Sequence, residues 1–116
     1  MYTPVSPMQQ QVDPAILQQQ VIRSLVSLCR QYRVRELALF GSATGEMFDA
    51  EASDLDFLVT FEPMLPAEHM RNYFGLLEDL EALMHRKVDL VEQVSVRNPF
   101  ILASILKNKV DLYAAA

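Results

Sequence analysis

The chain has 116 residues, 51% of them apolar and 22% charged, and its 15 acidic and 10 basic side chains leave a formal charge of −5. That suits one globular domain with a single core, while the acidic balance argues against general binding to a nucleic-acid backbone, which draws its affinity from clustered Lys and Arg. No stretch is apolar for long enough to cross a bilayer, and a lone cysteine, Cys29, excludes a disulfide framework.

Residues 1 to 12, "MYTPVSPMQQQV", lack the basic start and apolar stretch of a secretory signal, so they read as a flexible lead-in to a cytoplasmic protein whose single domain spans 13 to 116. Asp13 can cap a helix with Pro14 at its first position. Apolar residues then recur at Leu17, Val21, Leu25, Leu28 and Tyr32, widened by Ile22, Val26 and Cys29, which predicts an amphipathic helix over 14 to 32. Cys29 among these residues reads as a small buried hydrophobe.

"ELALF", residues 36 to 40, is a short apolar run that stops at Gly41 and predicts a buried strand; Leu55 to Phe61 predicts a second. Only about a dozen polar residues separate the two, so they should be neighbours in one sheet. After Pro66 a long helix is expected, with Tyr73, Leu76, Leu77, Leu80, Leu83 and Met84 facing one way and Gly75 weakening its interior. "KVDLVE", residues 87 to 92, predicts a third strand; Asn98 and Pro99 start a last helix running to about Lys107, and "VDLYA" makes a terminal strand. The order predicts an α/β (α+β) domain: a small mixed β-sheet with helices packed on it.

Three aspartates disturb this pattern. Asp54 and Asp56 flank Leu55 where the second strand begins, so their carboxylates should emerge on the face opposite Leu55, Phe57 and Val59. Like charges held side by side call for a counter-charge, and a hard divalent cation such as Mg²⁺ or Mn²⁺ is the natural one, since it takes carboxylate oxygens and shares its shell with phosphates. Asp89, between Val88 and Leu90 in the next strand, could complete a cluster of three, enough for two ions at an in-line phosphoryl displacement. Gly41 and Ser42 supply a strand end at which backbone amides and a hydroxyl can hold phosphate oxygens, with Gly45 helping the loop to turn.

"FGSATGEMFDAEASDLDFLV" resembles the signature of the minimal nucleotidyltransferases, a small branch of the DNA polymerase β-like superfamily: Gly-Ser, about ten residues, then Asp-x-Asp. The resemblance covers roughly residues 35 to 92 and implies the polymerase β-like fold. It also implies a metal-dependent transfer of NMP, with AMP from ATP expected, to a hydroxyl of a protein or small acceptor. Carried over to this chain, Gly41 and Ser42 become nucleotide-binding residues, Asp54 and Asp56 metal ligands, and Asp89 the third ligand and activator of the acceptor hydroxyl. The chain departs from the pattern at "GSATG", which is one residue shorter than in many members and has Thr44 where an arginine is common. Many minimal members are antitoxins of a helical HEPN-type toxin, so the resemblance implies such a partner.

The alternative is a non-catalytic binding module that neutralises a partner protein by contact. The apolar helix stripes allow a homo-oligomer without requiring one. His69, His85, Asp111, Arg71, Lys87 and Arg97 read as surface, capping or helix-end residues.

Overall fold

The computed structural model describes residues 18–41 and 54–115. Helix α1 is Gln19–Gln31, strand β1 Val34–Phe40, strand β2 Leu55–Phe61, helix α2 Pro66–Met84, strand β3 Val88–Glu92, helix α3 Pro99–Asn108 and strand β4 Val110–Ala114. A single 3₁₀ turn, Gln93–Ser95, separates β3 from α3. All the expected elements in the described residues are present, in the expected order.

Two boundaries move. Helix α1 begins at Gln19, because Gln18 has an extended backbone with ψ 139; Gln18, Gln19 and Gln20 are all exposed. The proposed cap at Asp13 and Pro14 lies outside the described residues, as does the lead-in. Strand β1 starts at Val34, two residues early, because Arg33 turns the chain at φ 58 and its carbonyl accepts from Glu62 N at 2.9 Å, tying it to the end of β2.

The four strands form one sheet in the order β3-β2-β1-β4. Strand β1 runs antiparallel to β2 and β4, whereas β2 and β3 are parallel and joined through α2. Alternation then sorts the side chains. Leu37 and Leu39 of β1, Leu55, Phe57 and Val59 of β2, Val88 and Leu90 of β3 and Val110 of β4 form the core with Leu25 and Cys29 of α1 and Leu76 and Leu80 of α2. Burial pushes the Cys29 thiol up to about 12, which leaves it an inert packing group.

The connection from β3 through α3 to β4 runs back across the sheet to its opposite edge. Asn98 starts α3 as expected, its side-chain oxygen accepting from Phe100 N at 2.9 Å and Ile101 N at 3.2 Å.

Gly75 has a use that its sequence position did not suggest. A Cβ there would lie 2.6 Å from Cε1 of Tyr32. The Tyr32 hydroxyl donates to Asp79 one turn further on, a bond that pushes the phenol up to about 12. Gly75→Ala is therefore expected to destabilise the protein by about 1–3 kcal/mol through overpacking, more than the helix-propensity gain of up to about 1 kcal/mol returns. Urea denaturation would check it; a more stable variant would mean that the α1–α2 seam yields freely.

Candidate active site

The site is built at one end of the sheet by strand register. Asp56 is paired across the antiparallel ladder with Phe40 and across the parallel ladder with Asp89, so the two carboxylates stand side by side on adjacent strands. They point away from the core because Leu55 and Phe57, which flank Asp56, are fully buried on the other face. Asp54 lies just before β2 and is exposed. The next amide, Leu55 N, donates to Lys87 O at 3.1 Å, which fixes that end of β2 to the start of β3.

Gly41 closes the site from β1. Its φ is +72, a left-handed conformation that suits glycine, and a Cβ on it would lie 2.3 Å from Oδ2 of Asp56. The glycine thus lets the backbone pass directly against the carboxylate. Ser42, Thr44, Gly45, Ser53 and the "EMFDAEA" loop lie outside the described residues.

Electrostatics mark the same place. Partial burial, the Asp89 charge, a hydrogen bond with Asp89 and the Asp54 charge together push Asp56 up from 3.8 to about 6. A carboxyl so placed holds a proton at a pH where exposed carboxyls do not, and donates it to Asp89.

Among the described residues no group of three His, Cys, Asp or Glu side chains converges closely enough to hold a metal ion. What is present is the Asp56–Asp89 pair, with Asp54 acting on it through its charge. The donor set nevertheless fits a hard divalent cation. Both groups are carboxylates, they are adjacent, and in the absence of a cation a proton moderates their repulsion.

A stability prediction follows. The folded pKa of Asp56 lies above its unfolded value, so this group's contribution is fully present below about pH 4 and is lost as pH rises through about 6. In the absence of divalent ions, Asp56→Asn is expected to melt a few degrees above wild type at pH 7.5, with the gap closing towards pH 5. Melting curves across that range check it; a variant less stable at neutral pH would show that the carboxylate is already compensated.

The residues set aside in the sequence are placed as follows. His85 is the left-handed C-cap of α2, with φ 56. His69 packs its ring against Phe61 and bonds Glu92 at 2.5 Å, towards the far end of β2 and β3. Sequence spacing gave no sign of that pair, since 23 residues separate the partners. Asp111, on β4, is exposed and takes an ion pair from Lys109. Arg71, Lys87 and Arg97 are exposed.

Comparison with known proteins gives the chain a family and a fold. The family described as "Nucleotidyltransferase domain" matches residues 22–112. A candidate protein adenylyltransferase of Methanocaldococcus jannaschii is 42% identical over 77 residues, covering 65% of this chain and 73% of that protein. The solved structure of a candidate minimal nucleotidyltransferase superposes with a TM-score of 0.66 at 29% identity, covering 85% of this chain and 95% of that one. A second structure, that of a tri-AMPylated Shewanella oneidensis HEPN toxin in complex with its MNT antitoxin, shares the fold, with a TM-score of 0.58 at 21% identity over 84% of this chain and 73% of that one. The chain belongs to the nucleotidyltransferase domain family and is a nucleotidyltransferase with the polymerase β-like fold.

Proposed function

We propose that the protein transfers AMP from ATP to a hydroxyl of a protein acceptor in the cytoplasm, with Asp54, Asp56 and Asp89 as its metal-binding carboxylates. The observation that carries this reading is the pairing of Asp56 with Asp89 across the β2–β3 ladder while the Gly41 backbone passes against Asp56.

In the reaction, the acceptor oxygen bonds to the α-phosphorus as the bond between that phosphorus and the bridging oxygen to the β-phosphate breaks. Pyrophosphate leaves. A divalent cation bound at the carboxylates would supply charge neutralisation on the phosphates. Gly41 and Ser42 hold phosphate oxygens, Asp54 and Asp56 bear the negative charge that recruits the cation, and the exposed Asp89 accepts the hydroxyl proton. No covalent enzyme intermediate is needed, so position and charge suffice.

The named chemistry of the relatives supports the adenylyl donor and a protein acceptor, and the likeness to a toxin–antitoxin complex supports a HEPN-type partner. The test is melting temperature with Mg²⁺ and each nucleoside triphosphate in turn, followed by incubation with a HEPN-type protein and ATP labelled at the α-phosphate. A rise with Mg²⁺ and ATP, and label on the partner, are expected; no rise at saturating ATP would overturn the reading.

A second reading has an observation of its own. Val94, Phe100 and Ile101 are 79%, 84% and 54% exposed on and just before α3, more apolar surface than a short helix needs to show a solvent. A module that neutralises its partner by contact would use such side chains. If Asp56→Asn left neutralisation of the partner intact and no nucleotide were transferred, the contact-only reading would hold.

A further inference from the structure

A triphosphate brings several negative charges to a site whose described side chains at the strand ends, Asp54, Asp56 and Asp89, are acids. The sheet register points to a cation from a distant part of the chain. Residues 97 to 110 contain Arg97, Lys107 and Lys109 and no acid, in a chain that is otherwise strongly acidic. Of these, Lys109 immediately precedes β4, with an extended backbone at φ −67 and ψ 153.

Strand β4 lies beside β1 on the side away from β2. Leu39 pairs with Val110, so one residue further along the ladder Lys109 lies beside Phe40, whose other neighbour is Asp56. The row across the sheet is therefore Lys109, Phe40, Asp56, Asp89. The lysine also shares the carboxylate face. Its ammonium pairs with Asp111, and Asp111 is registered with Ala38, which alternates with the core-facing Leu37 and Leu39 just as Phe40 does.

Gly41 leaves the sheet from the middle of that row. It has carboxylates on one flank and an ammonium on the other, about 10 Å apart by strand spacing, before the lysine's flexible stem is counted. We propose that Lys109 binds the outer phosphates of the nucleotide, on the side of the Gly41 turn opposite Asp56 and Asp89. This assignment rests on the nucleotide-transfer reading above. Without nucleotide, Asp111 holds the ammonium; Asp111 is 72% exposed, so that pair is weak and exchanges readily for a triphosphate of higher charge.

Sequence order hides this residue, which lies 20 positions past Asp89 and outside the Gly-Ser to Asp-x-Asp signature. Its only sequence signal is the acid-free basic segment at the end of an acidic chain.

The test is calorimetric titration of the full chain with Mg²⁺–ATP and, separately, with AMP, for wild type, Lys109→Met, Lys109→Arg, Asp111→Asn and Lys87→Met. Lys87 serves as the comparison because it is an exposed lysine on the β3 side of the carboxylates. Lys109→Met is expected to weaken Mg²⁺–ATP about tenfold or more, the effect of one charge-assisted hydrogen bond, and to leave AMP within about twofold. Lys109→Arg should restore ATP binding to within about threefold, and Asp111→Asn should bind ATP at least as tightly as wild type.

Equal ATP affinity in wild type and Lys109→Met would overturn the assignment of Lys109 alone. An equal loss in Lys87→Met would also overturn it, by showing a general effect of net charge, and a parallel loss of AMP binding would do so by showing general damage to the site. No binding of Mg²⁺–ATP by wild type would overturn the functional reading and this assignment together.

Discussion

Replacing Asp56 or Asp89 by Asn is expected to lower nucleotidyl transfer by about 10³-fold or more while leaving the fold intact. Each change keeps the size of the side chain and removes the negative charge that recruits a cation; the loss should exceed the 10–100-fold typical of residues that only support metal ligands. The fold should survive because neither carboxylate is part of the core, which lies on the opposite face of the sheet. For Asp56 the metal-free protein should even gain stability, since its carboxyl is held up to about 6 by burial and by Asp89. The measurement pairs initial rates of label transfer with melting curves taken with and without Mg²⁺. Wild type should melt higher with the ion and either variant should lose most of that shift. Full activity in both variants would exclude the pair from the chemistry.

Gly41→Ala should have the next largest effect, about 10²-fold on transfer with a smaller cost in stability. Two penalties coincide at this residue. Its φ of +72 is costly for any residue with a Cβ, by about 1 kcal/mol, and the added methyl would meet Oδ2 of Asp56 at 2.3 Å. The contact can be relieved only by turning the carboxylate or moving the strand end, and either displaces a group that must be placed to within a fraction of an ångström. The loss should therefore fall on activity and on Mg²⁺–ATP binding more than on melting temperature. Initial rates over a range of ATP concentrations, read beside a melting curve, would separate the two. A variant with normal binding and turnover would show that the glycine is only a turn residue.

The sequence determined much of this protein because its signals are local. Alternation at Leu55, Phe57 and Val59 against Asp56 fixes which face of β2 is buried, since a strand repeats every two residues whatever surrounds it. The apolar stripe through Leu25 and Cys29 fixes the buried side of α1, and Asn98 followed by Pro99 fixes the start of α3, because one side-chain oxygen can take two of the helix's unpaired amides. The candidate carboxylates were legible in the same way, as polar residues in strands that should be apolar.

Only the tertiary structure decided which of those residues meet. Asp56 and Asp89 are 33 positions apart in the chain, and their adjacency depends on a parallel register set by how α2 packs across β2 and β3. Gly75 reads as a flaw in a helix until Tyr32 is seen to need the space above it. Lys109 comes beside Phe40 only because β4 returns to the free edge of β1. Pairings of this kind follow from the closure of the whole sheet around one core, to which each strand contributes a face but none carries the address of its neighbour.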